Sequence, residues 1–247
     1  VTTTPLQAPA AWPELRLWLL DLRAEPEADA WSACDPEERD RATRFKFELH
    51  ARRYRAAHAA MRQTLASHLG VAPAQWRWSP GHHGKPHPVF RGWGAFNLSH
   101  TEDWGLLAWH PRLPVGADIE WRKPLPDLDL ISRRQYTEDE QAWLAAACGE
   151  PERAHRFYRL WAAKEAVLKA LGSGLLVAAQ RFAVPLAAEA DAPAGLPVAV
   201  DVALGLADGR APGSRCRLDL LEVALPPGLN ACAAVALVSA QDTDVCW

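Results

Sequence analysis

The sequence predicts an α+β fold of two pseudo-twofold-related halves, each an antiparallel sheet packed against one long helix. Three observations carry this expectation. Two long helical stretches, over 49–69 and 152–171, stop at Gly70 and Gly172. Each follows a strand and a short helix and precedes alternating apolar strands, so the halves echo each other in element order. Pro111 and Pro114 mark a break between residues 1–112 and 113–247. No residue-level repeat accompanies the echo.

Residues 15–22 alternate as a first strand. Asp35-Pro36-Glu37-Glu38 opens a helix that runs through Arg44, with an N-cap acid, Pro at the first position and acids in the first turn. The first long helix follows. Residues 80–86, rich in Pro and Gly, read as a loop. Residues 95–98 and 104–109 read as strands joined by a tight turn around 99–103, and 115–121 as another strand. Residues 122–129, with Pro124 and Pro126, read as an extended connection. Thr137 to Glu140 is a capping box opening a helix to about Cys148. After the second long helix, strands are expected over 182–184, 198–204, 217–223 and 231–238, with an Ala/Pro-rich loop over 187–197.

The composition narrows the function. Of 247 residues, 49% are hydrophobic and 23% charged, which is ordinary for a globular chain. Twenty-seven Lys and Arg stand against 30 Asp and Glu, too balanced for non-specific nucleic-acid binding. No apolar run is long enough to span a bilayer, and no signal-peptide pattern is visible. Five scattered cysteines without CxxC spacing suit a reducing, cytoplasmic setting and neither a disulfide framework nor a zinc site.

Chemistry concentrates in a few places. Asp118 and Glu120 lie two apart on a strand and project from one face, while Ala117 and Ile119 pack on the other. Alone, the pair reads as a solvated acidic face or as two ligands for a hard cation that prefers oxygen donors. Glu165 and Lys169 share a helix face and alone read as a surface pair, though Gly172 and Gly174 beyond them allow a close backbone approach. Gly84-Lys85-Pro86 offers a lysine to a phosphate from a fixed turn. Neighbouring His82, His83 and His87 lack the spacing of a metal site. Ser99 and His100 are adjacent on a strand, point to opposite faces, and so make no nucleophile–base pair. Arg52 and Arg53, with Arg41 and Arg44 upstream, form a basic cluster that is either solvated or a phosphate clamp.

In order along the chain, Phe96-Asn97-Leu98-Ser99-His100-Thr101, Gly116-Ala117-Asp118-Ile119-Glu120 and the stretch from Trp161 to Leu175 resemble the phosphopantetheinyl transferase superfamily in its longer, Sfp-type, two-half form. Arg44-Phe45, Arg52-Arg53 and Gly84-Lys85-Pro86 add to the resemblance, which covers about residues 35–185. It implies an enzyme that moves 4′-phosphopantetheine from coenzyme A to a serine of an apo acyl, peptidyl or aryl carrier protein and releases adenosine 3′,5′-bisphosphate. The implied cofactor is Mg²⁺, or Mn²⁺ in its place, held by Asp118, Glu120 and Glu165. Glu165 is the expected general base, with a cation-bound water activated by Asp118 as the competing version. Lys169 would hold the transferred phosphate or the departing group.

The resemblance also puts Arg53 and His100 on the 3′-phosphate of coenzyme A and Lys85 and Ser99 at the nucleotide. Gly84 and Pro86 would shape that site, and Arg41 and Lys164 would be secondary phosphate contacts. Coenzyme A contacts would come mainly from residues 1–112. The metal site, catalytic helix and carrier docking would come from 113–247, the docking near 131–144 beside Arg133 and Arg134. Glu38 departs from the pattern, since some relatives carry a basic residue there. The two-half form implies a monomer.

Overall fold

The computed structural model describes residues 1–80, 85–90, 92–172, 177–185, 197–204 and 214–242. Gly84, His82, His83, Gly174, Cys246 and nearly all of the 187–197 loop lie outside the described residues, as do the side chains of Pro86 and His87.

The first sheet contains β1 (Thr2–Leu6), β2 (Arg16–Asp21), β5 (Ala95–Thr101) and β6 (Trp104–His110) in the order β1-β2-β6-β5. Helices α1 (Ala28–Ser32), α2 (Pro36–Thr43) and α3 (Glu48–Leu69) and a short hairpin, β3 (Trp78–Pro80) with β4 (Pro86–Pro88), fill the connection between β2 and β5. The second sheet contains β7 (Val115–Trp121), β8 (Val198–Ala203), β9 (Arg215–Glu222) and β10 (Ala231–Val238) in the order β7-β10-β9-β8. Helices α4 (Leu128–Gln135), α5 (Glu138–Ala145) and α6 (Glu150–Leu171) precede β8. All sheet pairings are antiparallel.

The echo is a true repeat of topology. A strand, a 22-residue helix and a hairpin recur in both halves. The hairpin's second strand pairs with the opening strand each time, as β2-β6-β5 and β7-β10-β9. Strand parity sets the layers. Leu17 and Leu19 of β2, Ala117 and Ile119 of β7 and Val235 and Leu237 of β10 share one core between the sheets. Trp18 and Leu20 face α3 with Ala57, Met61 and Leu65, and Ala234 and Ala236 face α6 with Ala163, Ala166 and Ala170. The order is therefore helix, sheet, sheet, helix, and burial of apolar side chains on both faces of each sheet drives it.

The long helices stop where expected: Gly70 and Gly172 take left-handed φ values of 69° and 67°. Other boundaries differ. Strand β5 continues to Thr101, so the tight turn is Glu102–Asp103. Residues 182–184 form no strand. Helix α4 takes only Leu128 and Asp129 from the end of the expected connection and then runs on to Gln135, because Pro124 and Pro126 lie upstream of Asp127 and leave 128–135 free to coil. Strand β1 gains its partner only by pairing with β2, a non-local contact that local pattern does not reveal.

One buried network anchors α2 to α3. Arg62 is fully buried, and its guanidinium donates to Glu38 at 2.7 Å, to Asp35 at 2.9 Å and to the Trp76 carbonyl. Glu38 is the acid at the position where the resemblance noted a departure. It closes the helix cap by accepting from the Asp35 N–H at 2.9 Å and accepts from His58 at 2.5 Å. Burial alone would raise the Glu38 pKa, but these donors hold it below the ordinary value. Arg62→Met strips two carboxylates of their buried partner and is expected to cost about 3–5 kcal/mol in chemical denaturation.

Candidate active site

The site forms where the edge strands β5 and β7 of the two sheets meet. Asn97 Oδ1 accepts the Ala117 N–H at 2.8 Å, and Thr101 Oγ1 accepts the Trp121 N–H at 3.3 Å. Both bridges join residues 20 apart in sequence, so the strands run in the same direction. Side chains on one face of β5 thus satisfy edge N–H groups of β7 that no neighbouring strand reaches. Between these bridges, Ser99 Oγ donates to Asp118 Oδ1 at 2.8 Å.

Helix α6 lies close over β7 because residue 116 is glycine. A Cβ there would stand 2.0 Å from the Ala166 carbonyl oxygen and 2.2 Å from the Ala170 nitrogen. That approach carries Glu165 and Lys169 to the acidic face of the strand. Lys169 Nζ donates to Asp118 Oδ1 at 2.5 Å and to Ser99 Oγ at 3.0 Å. The lysine therefore pairs across to the strand.

The carboxylates act on one another. Burial first, then the Asp118 charge, lifts Glu120 to about 7. The same two causes, in the same order, raise Glu165. Asp118 is buried, and among the described residues its Oδ2 has no hydrogen-bond partner. An orphaned buried oxygen beside two carboxylates that resist ionisation fits a hard divalent cation, which would satisfy the oxygen and relieve the repulsion. Among the described residues, no three His, Cys, Asp or Glu side chains are already closed into metal-binding geometry. The donor set suits the ion without being shaped as a finished cage.

On the first-half side, Arg53 is mostly buried and is held at 2.9 Å by both Glu102 and Asp103 of the β5–β6 turn. Glu102 takes a φ of 47°, a left-handed conformation uncommon for a residue other than glycine. Arg52 is structural: it donates to the Leu22 carbonyl at 2.7 Å and to Asp103 at 3.0 Å. His100 is open to solvent yet ringed by protein, and this crowding pushes its imidazole down to about 4, helped by the charges of His58, Lys169, Arg53 and Arg41.

Several expected contacts stand elsewhere. Lys164 is buried on a different face of α6, where its three N–H groups meet the Ala179 and Phe182 carbonyls at 2.7 Å each and Glu140 at 2.8 Å. Nothing of that ammonium remains for a phosphate; being next to Glu165 on a helix points it about 100° away. Ser99 is buried against Asp118 and Lys169. Lys85 crosses to the second half and donates to the Val115 and Ala170 carbonyls at 3.0 Å each, a cation at the α6 C-terminus. Arg41 is exposed, 5.5 Å from the Tyr54 ring centroid. A cavity of about 800 Å³ between the β9–β10 hairpin and the β1–β2 connection includes none of the carboxylates.

Residues 114–194, which contain both the acidic strand and α6, match the 4′-phosphopantetheinyl transferase superfamily model. The chain is 34% identical to the 4′-phosphopantetheinyl transferase HetI of Nostoc sp. over 168 residues, covering 66% of this chain and 70% of that protein. The chain belongs to the 4′-phosphopantetheinyl transferase superfamily. It is also 36% identical to a phosphopantetheinyl transferase of Thraustochytrium sp. over 59% of this chain and 54% of the relative. With the L-aminoadipate-semialdehyde dehydrogenase-phosphopantetheinyl transferase of Mus musculus it shares 30% identity over 67% of this chain and 54% of the relative. It thus spans about half the length of those two phosphopantetheinyl transferases.

Within this transferase, sequence reasoning missed Asn97 and Thr101, the bridges that align the strands, and the steric reason for Gly116. The available signal for the bridges was the i, i+2, i+4 spacing of Asn97, Ser99 and Thr101, three polar residues on one face of the strand.

Proposed function

We propose that this enzyme transfers 4′-phosphopantetheine from coenzyme A to a serine hydroxyl of an apo acyl, peptidyl or aryl carrier protein, leaving adenosine 3′,5′-bisphosphate. The observation that carries this reading is the grouping of Asp118, Glu120 and Glu165 with Lys169, on a strand and a helix that Gly116 allows into contact. Asp118, Glu120 and Glu165 would hold Mg²⁺ (Mn²⁺ suits the same oxygens), which when bound neutralises charge on the diphosphate as the anhydride breaks.

The chain's own residues account for the rest. The nucleophile is the partner's serine, so the enzyme needs a base and no nucleophile. Glu165, raised above an ordinary carboxylate, is suited to take the serine proton as its oxygen attacks the pantetheine-side phosphorus. The bond to the second phosphate breaks and the nucleotide departs with that electron pair. Lys169 keeps 31% of its side chain open beside Asp118 and can donate to a phosphate oxygen on either side of the breaking bond. Arg53 and His100 line the first-half side for the 3′-phosphate. The carrier docks on α4 and α5, where Leu130 is exposed beside exposed Arg133 and Arg134, an apolar anchor with positive neighbours that suits a small acidic domain. The reading treats the enzyme as a cytoplasmic monomer; no described helix is long and apolar enough to cross a membrane.

The test is mass spectrometry of an apo carrier protein incubated with the enzyme, coenzyme A and Mg²⁺. The expected result is a mass gain equal to one phosphopantetheine. Consumption of coenzyme A without carrier labelling, across several carriers, would refute the transfer.

A further inference from the structure

The buried Glu38 holds a histidine, His58, on the first-half side of the cleft. Glu38 Oε1 accepts from His58 Nδ1 at 2.5 Å, which fixes the ring and leaves Nε2 for a ligand. The ring lies tilted by 31° against Tyr54 with centroids 4.0 Å apart, and the Arg41 guanidinium lies over the same tyrosine at 5.5 Å. His58 is partly exposed, at 20% of its side chain.

Charge accounting singles this residue out. Arg52 and Arg53 are matched by Glu102 and Asp103. Arg62 and Arg77 are matched by Asp35 and Glu38. Arg41 has no ion-pair partner among the described residues, His58 shares Glu38 with Arg62, and His100, pushed down to about 4, adds a neutral imidazole. They come from α2, α3 and β5, and the fields of Arg41 and His58 both reach the His100 imidazole. A guanidinium without a carboxylate partner, beside two imidazole donors, suits an anion.

We propose that His58, held by Glu38, is a direct contact to the phosphate monoester of coenzyme A, alongside Arg41, Arg53 and His100. The inference rests on the coenzyme A reading above. A phosphate on Nε2 and a carboxylate on Nδ1 both require donors, so the bound ring is the imidazolium. Glu38 is then a positioning residue. The acid at the position where some relatives carry a basic residue thus supports a histidine that contacts the phosphate.

The test is calorimetric binding of coenzyme A and of 3′-dephospho-coenzyme A to the full chain, which needs neither a carrier nor turnover. His58→Asn keeps an amide at the place of Nδ1 for Glu38 and ends short of Nε2. It is expected to raise the Kd for coenzyme A about tenfold, the loss of one charge-assisted hydrogen bond. The Kd for the dephospho form should stay within about twofold. His58→Lys should recover most of the discrimination. Equal weakening toward both ligands, as a merely structural role or partial unfolding would give, overturns the proposal, and so does no change toward either. Carrier labelling is measured separately. Failed labelling with selective binding intact strikes the transferase reading, whereas failed selectivity with labelling intact strikes only the role of His58.

Discussion

Glu165→Gln is expected to lower carrier labelling by about 10²–10⁴-fold, the range for loss of a positioned general base, with further loss if the residue also binds the cation. The fold should survive, and in the absence of metal it should gain stability. The folded pKa values of Glu120 and Glu165 lie above their ordinary ones, so folding favours their protonated forms. Their contribution to stability is therefore fully present below the ordinary carboxylate pKa and is lost as pH rises through the folded values, which for Glu120 means up to about 7. Removing one of the charges removes part of that penalty. Melting curves from pH 4 to 8 without metal should show the wild type losing stability across this window, and Glu165→Gln losing less. A divalent cation acts on the same repulsion, so Mg²⁺ should raise the wild-type melting temperature near neutral pH and do so much less in Asp118→Asn. Undiminished labelling by Glu165→Gln would remove Glu165 as the base, and an equal Mg²⁺ response in both proteins would place the cation elsewhere.

Gly116→Ala is the second large effect. The added methyl would stand 2.0 Å from the Ala166 oxygen and 2.2 Å from the Ala170 nitrogen, both backbone atoms of α6 that no rotamer change can move. The helix must withdraw from β7. Overpacking of this kind costs about 1–3 kcal/mol and occasionally more. The withdrawal also carries Glu165 and Lys169 away from Asp118, and a misplacement of about 1 Å is enough to lower turnover about 100-fold. The expected pattern is a moderate drop in the denaturation midpoint with a disproportionate loss of kcat. Ser99→Ala makes a useful contrast. It removes the 2.8 Å bond to Asp118 but leaves the 2.5 Å bond from Lys169, so its loss of kcat should be smaller. Equal effects of the two substitutions would mean that the helix approach is not what sets the site.

Much of this molecule is written locally. The two long helices have stop glycines, the capping acids lie in the expected first turns, and alternation places Ala117 and Ile119 in the core with Asp118 and Glu120 opposite. The placing of Asp118 with Glu120 on one strand face and of Glu165 with Lys169 on one helix face was legible because it follows from a period of 2 or 3.6 residues, and the family was legible from the resemblance of three motifs in order. Partners that come from distant segments were not legible. Lys164 and Lys169 are both lysines on one helix, yet one is sealed against Glu140 and two carbonyls while the other faces Asp118. Only the rotation of α6 over β7, set by Gly116, decides between them. Ser99 and Lys85 look like ligand-facing residues in a linear reading, and the packing of one half on the other turns both to structural partners. Glu38 looked like a missing base until folding set it between Arg62 and His58. Sequence by itself determined on which local faces Asp118, Glu120, Glu165 and Lys169 lie, because chain geometry enforces those over a few residues. The tertiary structure alone decided which charge meets which, because that depends on the docking of two sheets and two helices whose contacting residues are tens of positions apart.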